Sequence, residues 1–124
     1  MQLGMIGLGK MGNNMAQRLK LAGHDVIGYD RNPEVSDTPD VASLVAGLAA
    51  PRVVWVMVPA GEATRSAVEE LGRLLDPGDL VIDGGNSHFK DDAVNAARLA
   101  ERGVGYLDCG VSGGVWGLRN GYGL

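Results

Sequence analysis

The chain has 124 residues, with 15 acidic and 11 basic side chains and a formal net charge of -4. This length suits a single domain, and the lack of a basic cluster argues against nucleic-acid or membrane-surface partners. Cys109 is the only cysteine, so no disulfide can form within the chain. No apolar run approaches the roughly 20 residues that span a bilayer, and the first residues lack the pattern of a signal peptide. We therefore expect a cytoplasmic domain. No His, Cys or carboxylate cluster has the spacing of a metal site.

The first part of the chain alternates between strand-like and helix-like patterns. An apolar run at residues 3–6 predicts the first strand, and residues 26–29 predict the second. The segment between them predicts a helix that ends at Gly23. Apolar side chains recur on that helix at helical spacing, which predicts buried positions at Met11, Met15, Leu19 and Ala22.

The middle of the chain repeats this alternation. A second helix is expected to begin near Thr38 as the N-cap residue, with Pro39 at the first helical position. The unbroken apolar run at residues 53–58 predicts a third strand that is covered on both faces. A third helix is predicted at residues 62–75. The positions expected to be buried on these two helices are Val41, Leu44, Val45, Leu48, Val68, Leu71 and Leu75.

The last predicted elements complete a regular α/β pattern. A fourth strand is expected at residues 80–82, a fourth helix from the N-cap Ser87 to Arg102, and a fifth strand at residues 104–107. Strands that alternate with helices are typical of a parallel sheet with right-handed crossover connections. The expected fold class is therefore α/β, a doubly wound, Rossmann-like parallel sheet with strand order 3-2-1-4-5.

Three glycines, Gly7, Gly9 and Gly12, follow the first strand and open the first helix, as a dinucleotide-binding loop requires. Gly7 would permit the tight turn, Gly9 would let the backbone approach a pyrophosphate, and Gly12 would let the helix pack closely on the sheet. The helix N-terminus supplies free N–H groups and a partial positive charge for the phosphates. The same spacing also occurs in glycine-rich turns that bind nothing, so the prediction depends on this context.

Asp30 is the next informative residue, at the end of the second strand and 18 residues after Gly12. A carboxylate at this place can accept hydrogen bonds from the ribose hydroxyls of the adenosine. It would repel the 2′-phosphate of NADP, because two unit charges 4 Å apart interact by about 1 kcal/mol in water and about 4 kcal/mol at a dielectric constant of 20. This favours NAD. Arg31 can hold a 2′-phosphate or stack on adenine, so NADP remains open, and so does a simple polar turn at residues 30–33.

Glycine and polar residues follow the carboxyl ends of all five predicted strands, whereas the turns at the opposite edge are ordinary. The segments concerned begin at Gly7, Asp30, Val58, Gly84 and Ser112, and the one at Val58 contributes a proline, Pro59, where the others contribute glycine or polar residues. In an open parallel sheet, ligands bind outside the carboxyl ends of the strands. This asymmetry predicts a ligand crevice at that edge.

Two motifs, Asp-Gly-Gly-Asn-Ser at residues 83–87 and Val-Ser-Gly-Gly at residues 111–114, resemble the 6-phosphogluconate dehydrogenases. The likeness covers nearly the whole chain and is greatest to the shorter, often NAD-preferring branch. Related β-hydroxyacid dehydrogenases share Ser-Gly-Gly, but usually have Asp followed by Ser-Thr in the first motif. The resemblance implies oxidative decarboxylation of 6-phosphogluconate to ribulose 5-phosphate in the pentose phosphate pathway, by an enzyme that is homo-oligomeric at full length.

The resemblance also implies roles for individual residues. The phosphate loop would cradle the pyrophosphate, and the residues from Asp30 would hold the adenosine. The cofactor-binding residues implied are Gly7, Leu8, Gly9, Lys10, Met11, Gly12, Asp30, Arg31, Asn32, Val58, Pro59, Ala60 and Asn86. The substrate-binding residues implied are Asn86, which would lie between nicotinamide and substrate, together with Ser112, Gly113 and Gly114.

Two departures from the family qualify these expectations. The lysine base and glutamate acid of the family, and its large helical domain, would lie beyond Leu124, so no catalytic residue is predicted in this chain. We expect residues 1–124 to form an incomplete dinucleotide-binding domain that binds cofactor without turnover. Relatives usually have an extra helix where residues 33–40 are too short for one, which alters the expected adenosine pocket. A fragment of a β-hydroxyacid dehydrogenase and a non-catalytic NAD-binding module are the alternatives.

Overall fold

The computed structural model describes residues 1–59, 61–85, 89–112 and 117–124, with the backbone alone for residues 89–92. Strands and helices alternate throughout, which confirms the predicted α/β class. In chain order they are β1 (Gln2–Ile6), α1 (Lys10–Leu21), β2 (Asp25–Tyr29), α2 (Val41–Ala46), β3 (Val53–Val56), α3 (Glu62–Leu74), β4 (Leu80–Asp83), α4 (Phe89–Ala100), β5 (Gly105–Asp108) and α5 (Gly117–Asn120).

The five strands form one parallel sheet in the order β2-β1-β3-β4-β5. The predicted order 3-2-1-4-5 is wrong, because the third strand pairs with β1, for example Gly4 with Val54, and does not lie beyond β2. The outer edge of β2 is occupied by a loop. The Asp37 N–H donates to the Gly28 carbonyl at 3.0 Å, and the Asp37 carboxylate accepts from the Gly28 N–H at 2.8 Å. The observed order is the other common doubly wound arrangement.

The two faces of the sheet have separate cores. On one face, α2, α3 and α4 cover the sheet, and Leu44, Leu71 and Leu99 from these helices pack around Val54 and Val56. On the other face, the core consists of Leu3, Met5, Leu8, Met15, Ala16, Val26 and Val111. Burial of a large aliphatic side chain stabilises the fold by about 1.5–3 kcal/mol, so these cores hold the helices on the sheet.

The predicted buried positions of α2 and α3 are confirmed: Val41, Leu44, Val45, Leu48, Val68, Leu71 and Leu75 all have less than a tenth of their surface exposed. On α1, Met15 is buried, and Met11 and Leu19 pack partly against the core. The prediction for Ala22 is wrong, because Ala22 is the exposed C-cap of the helix and lies past its last turn.

Gly23 ends α1, as predicted. It adopts a left-handed conformation with φ of 92°. The Gly23 N–H donates to the Lys20 carbonyl and the His24 N–H donates to the Leu19 carbonyl, each at 3.0 Å. This pair of bonds is the Schellman motif, in which a glycine satisfies the last helical carbonyls.

The predicted N-cap of α2, Thr38, is wrong. The N-cap is Asp40, whose carboxylate accepts a hydrogen bond of 2.7 Å from the Ser43 N–H. This hydrogen bonding lowers the pKa of Asp40. The Thr38 hydroxyl instead donates to the Asp40 carbonyl at 3.3 Å, within the loop that covers β2.

Residues 31–40 contain no helix, in agreement with the prediction that this segment is too short for one. The predicted N-cap of α4, Ser87, lies outside the described residues.

Because α1 leaves β1 toward one face and α3 leaves β3 toward the other, the connections that follow these two paired strands diverge at the carboxyl edge of the sheet. The connection β2–α2 returns to β3 on the far side of β1. Such a topological switch point opens a crevice between the two loops. None of the helices that the structure describes has the length and apolar composition of a membrane-spanning segment.

The opposite edge of the sheet is held by Asp79, which is 2 % exposed. Its carboxylate accepts from the backbone N–H groups of Arg52 (2.6 Å) and Asp76 (2.8 Å), and from the Arg52 guanidinium (3.1 Å). Burial alone would raise the pKa of Asp79, but these hydrogen bonds outweigh it and lower the pKa below its ordinary value. The carboxylate therefore joins the starts of β3 and β4.

We expect Asp79→Asn to lower the free energy of unfolding by about 2–4 kcal/mol at pH 7, because it removes a buried charge that three donors share. Since folding lowers the pKa of Asp79, its contribution is complete above the unfolded value of about 4 and is lost as the pH falls below it. Urea unfolding between pH 3 and pH 7 measures both effects. Asp76→Asn is the matched control, because the exposed Asp76 side chain should contribute less than about 1 kcal/mol. Equal losses from the two variants would contradict this assignment.

Candidate functional site

The β1–α1 loop turns tightly at the switch point. Gly7 has φ of 95°, and its N–H donates to the Tyr29 carbonyl at 2.9 Å. A Cβ atom on Gly7 would lie 2.5 Å from the Met57 carbonyl oxygen, and one on Gly12 would lie 1.9 Å from the Gly7 carbonyl oxygen. Backbone meets backbone at both places, so a side chain cannot be accommodated by a rotamer change. Gly7 and Gly12 therefore have the turning and packing roles that the motif predicts.

Gly9 differs from both neighbours in the motif. A Cβ atom on Gly9 would meet no atom within 4 Å, and its φ of -65° suits any residue. Neither packing nor backbone conformation requires a glycine here. A missing side chain that faces open space is expected where a ligand must approach the backbone closely.

The N-terminus of α1 is chemically suited to an anion. Gly9 is the N-cap residue, no side chain caps the helix, and no acidic residue lies in its first turn. The first N–H groups of a helix have no partner within the helix, and they carry a partial positive charge. Lys10 is exposed at the same helix end. A phosphate would find both hydrogen-bond donors and favourable charge at this position.

Asp30 lies beside this loop at the end of β2. One carboxylate oxygen accepts from the Leu8 N–H at 2.7 Å, and the other accepts from the Asn32 N–H at 2.9 Å. The Asp30 N–H donates to the Ser36 hydroxyl at 3.0 Å. Asp30 thus connects the β1–α1 loop to the loop after β2, and its side chain lies at this end of the crevice.

Two adjoining cavities extend along the carboxyl edge of the sheet. The larger, about 360 Å³, is bounded by the loops after β1 and β2, the end of β3 and one side of α3. Its lining is Ile6, Gly7, Gly9, Tyr29, Asp30, Arg31, Val41, Met57, Val58, Pro59, Ala63, Ser66, Ala67 and Glu70. The smaller, about 320 Å³, continues past Pro59 and is lined by Gly9, Lys10, Met11, Gly12, Met57, Val58, Pro59, Gly84 and Gly85. Gly9 borders both cavities, so together they form one cleft across the switch point.

The end of β4 forms the far wall of this cleft. Asp83 is fully buried, and its carboxylate accepts from the Gly85 N–H at 2.9 Å and from the Tyr106 hydroxyl at 2.8 Å. A Cβ atom on Gly85 would lie 2.5 Å from the Val58 carbonyl oxygen, and one on Gly84 would lie 2.4 Å from Nε1 of Trp55. Packing therefore requires both glycines, and their position at this edge is not in itself evidence of a ligand.

The structure brings most of the predicted cofactor residues to the cleft. Those that line it are Gly7, Gly9, Lys10, Met11, Gly12, Asp30, Arg31, Val58 and Pro59. Leu8 is buried in the core and Asn32 is exposed beside the cleft, and neither lines the cavities. Ser112 is exposed and forms two backbone hydrogen bonds of 2.8 Å with Gly123. Ala60, Asn86, Gly113 and Gly114 lie outside the described residues. The ligand roles of all these residues stay predictions.

Sequence reasoning missed one wall of the larger cavity, which α3 provides. Its members, spaced at i, i+3, i+4 and i+7, are Ala63, Ser66, Ala67 and Glu70. This spacing marks one face of a helix, separate from the buried stripe of Val68 and Leu71. The signal was present in the sequence, but small residues beside a buried stripe are too common to indicate a site. Among the described residues, no group of three or more His, Cys, Asp or Glu could hold a metal ion.

Comparison with protein families matches residues 2–123 to the NAD binding domain of 6-phosphogluconate dehydrogenase. The chain belongs to this family. The match covers nearly the whole chain and agrees with the cleft geometry, so the predicted resemblance is confirmed. The chain is thus an NAD(P)-binding domain of the kind found in dehydrogenases related to 6-phosphogluconate dehydrogenase.

Individual relatives support the same placement. An NAD(+)-dependent, decarboxylating 6-phosphogluconate dehydrogenase from Haloferax volcanii is 40% identical over 133 residues, covering 100% of this chain and 44% of that protein. A putative 6-phosphogluconate dehydrogenase from Bacillus subtilis, YqeC, is 38% identical over 98% of this chain and 43% of its own length. The chain therefore spans less than half of these curated relatives.

Solved structures share the fold closely. Plasmodium falciparum 6-phosphogluconate dehydrogenase superimposes with a TM-score of 0.90 at 29% identity, covering 98% of this chain and 29% of that one. Mycobacterium tuberculosis 3-hydroxyisobutyrate dehydrogenase superimposes with a TM-score of 0.84 at 32% identity, covering 94% of this chain and 42% of that one. These structures establish the fold, and both dehydrogenase types share this domain.

The contrast between Gly9 and Gly12 can be tested by placing alanine at each position. We expect Gly9→Ala to keep the melting temperature within about 3 °C of the wild type, because the added methyl group meets no protein atom, and to weaken dinucleotide binding at least about tenfold. Gly12→Ala should lower the free energy of unfolding by about 2 kcal/mol or more through its clash with the Gly7 carbonyl. Thermal unfolding and calorimetric titration give the two readouts. A Gly9→Ala variant that binds as tightly as the wild type would contradict a phosphate position at this residue.

Proposed function

We propose that this chain is the cofactor-binding part of an NAD-dependent 6-phosphogluconate dehydrogenase, and that residues 1–124 bind the dinucleotide without turnover. The observation that carries the proposal is Gly9, whose missing side chain serves no packing purpose and borders both cavities. A pyrophosphate against the N-terminus of α1 accounts for it.

The cleft suits an extended dinucleotide with this pyrophosphate at its centre. The adenosine half would occupy the larger cavity, with Asp30 accepting from the ribose hydroxyls. The nicotinamide half would occupy the smaller cavity between residues 9–12 and Gly85, with Val58 and Pro59 along the middle. Asn86 and Ala60 would complete the nicotinamide end. When bound, the nicotinamide ring supplies the hydride acceptor for oxidation of a secondary alcohol.

The proposed preference for NAD rests on the position and the negative charge of the Asp30 carboxylate. Its carboxylate is fixed by the N–H groups of Leu8 and Asn32 at the place where a ribose would lie. A 2′-phosphate would be repelled by this fixed negative charge. Arg31 lines the same cavity, but its side chain is exposed, so it offsets this repulsion only in part. The Haloferax volcanii relative is described as NAD(+)-dependent, whereas the Plasmodium falciparum structure was solved with NADP+. The charge of Asp30 in this chain favours NAD over NADP.

For the substrate, we propose 6-phosphogluconate, held by Asn86, Ser112, Gly113 and Gly114. The support is the family membership, together with the two backbone hydrogen bonds to Gly123 that hold Ser112 in place. The catalytic acid and base would come from outside the 124 residues, because no residue of the chain is predicted to fill either role. A cytoplasmic location and a homo-oligomeric full-length enzyme remain predictions.

A second candidate is the cofactor domain of a β-hydroxyacid dehydrogenase. It is favoured by the similarity to 3-hydroxyisobutyrate dehydrogenase, which is 32% identical and covers 94% of the chain. The Gly84–Gly85 pair argues against it. Packing against Trp55 and Val58 requires glycine at both positions, where that family usually has Ser-Thr.

Calorimetric titration of the purified chain with NAD and NADP tests the cofactor assignment. We expect the wild type to bind NAD more tightly, and Asp30→Asn to reduce the ratio of the two affinities by about tenfold, because the variant removes the charge that opposes the 2′-phosphate. Asp25→Asn is the matched control, since Asp25 lies exposed at the other end of β2. An affinity ratio that Asp30→Asn leaves unchanged would overturn the preference argued from Asp30.

A turnover assay tests the remainder of the proposal. NADH formation from 6-phosphogluconate should be undetectable with the 124-residue chain, because proton transfer groups typically contribute about 10²–10⁴-fold and none is predicted here. Robust formation of NADH by the chain alone would refute this. Oxidation of 3-hydroxyisobutyrate in preference to 6-phosphogluconate by a longer natural form of the protein would support the second candidate.

A further inference from the structure

The α3 wall of the larger cavity carries two polar side chains, the exposed Ser66 in its middle and Glu70 at its far end. Ala63 and Ala67 lie one turn apart and leave a shallow apolar surface, and Glu70 follows on the next turn of the same face. Tyr29 and Arg31 lie on the side of the cavity formed by the end of β2. A flat ring system fits such a space, with small side chains on one side and a guanidinium able to stack on the other.

Glu70 differs from the other two carboxylates of α3. Glu62 pairs with Arg65 at 3.4 Å, and Glu69 pairs with Arg98, both on the exposed side of the helix. Glu70 is half-buried and lines the cavity, and it forms no ion pair with any side chain that the structure describes. A partly desolvated carboxylate without a partner favours a ligand that brings a hydrogen-bond donor.

The arrangement of the other polar groups indicates which part of a ligand reaches Glu70. In the proposed arrangement the phosphate is at Gly9 and the ribose is at Asp30, so the base of the adenosine would lie beyond the ribose, between Arg31 and α3. Adenine carries an amino group as its exocyclic donor at C6. An ionised carboxylate only accepts hydrogen bonds, so it complements this group.

We propose that Glu70 recognises the C6 amino group of adenine and makes the site selective for adenine over 6-oxopurines. This inference rests on the proposed function, because it assumes that a dinucleotide occupies the cleft. A 6-oxopurine places a carbonyl oxygen opposite the carboxylate. Two acceptors then face each other at this position, and the carboxylate reaches the N1–H of the 6-oxopurine only by shifting along the edge of the ring, which weakens the interaction.

The test compares NAD with the analogue in which hypoxanthine replaces adenine, titrated calorimetrically into the full chain. The wild type should bind NAD about tenfold more tightly, which corresponds to one charged hydrogen bond at a partly buried site. Glu70→Gln should bind the two ligands within about twofold of each other, because the amide can donate to a carbonyl as well as accept from an amine. Glu70→Ala should also lose the discrimination. The control variant Glu69→Gln, one residue away on the outer side of α3, should keep the wild-type ratio.

Several outcomes would overturn the role of Glu70. One is equal binding of NAD and the hypoxanthine analogue by the wild type. Another is that both Glu70 variants keep the wild-type ratio of the two affinities. An increase in NADP affinity in Glu70→Gln with unchanged base discrimination would show that Glu70 acts only as a charge against the 2′-phosphate. Failure of the wild type to bind NAD, NADP or the analogue is a separate result, which refutes the proposed function itself.

Discussion

The site depends on close contact between two backbone segments, the turn after β1 and the end of β3. Gly7 lies against the Met57 carbonyl, and Gly12 lies against the Gly7 carbonyl, at distances where no Cβ atom fits. This contact brings the first turn of α1 to the carboxyl edge of the sheet, directly beside β3. The open N-terminus of the helix then faces the cleft, and the unpaired N–H groups of a helix end become a place for an anion.

Residues in the walls of the cleft hold its loops together and also line its cavities. Gly84 and Gly85 let the loop after β4 approach Trp55 and Val58, which closes the smaller cavity. Asp30 fixes the loop after β2 through the N–H groups of Leu8 and Asn32, and it also places a charge in the larger cavity. Most of the residues that shape the cleft are therefore structural as well. Gly9 is the exception, because neither its contacts nor its backbone conformation requires a glycine there.

The sequence predicted more of the fold than of the site. Element types followed from apolar periodicity because burial on one or both faces of a sheet leaves a direct pattern in the chain. The stripes on α2 and α3 were correct for this reason. The strand order was wrong because pairing depends on which edge of β1 is free, and the side chain of Asp37 closes the edge of β2 from a loop without periodicity. The N-cap of α2 was misplaced because Thr38 and Asp40 are both good caps, and only the loop geometry distinguishes them.

By itself, the sequence determined the family, the parallel α/β class, the phosphate loop and the carboxylate at the end of β2. These features are encoded by residues close together in the chain or at a regular spacing. Only the tertiary structure decided that Gly9 alone among the motif glycines faces open space, and that Gly84 and Gly85 serve packing. Tertiary structure also brought Glu70 of α3 to the same cavity as Asp30. The physical reason is that these properties depend on distances between segments far apart in the chain, which the packing of two helical layers on the sheet sets and no local pattern records.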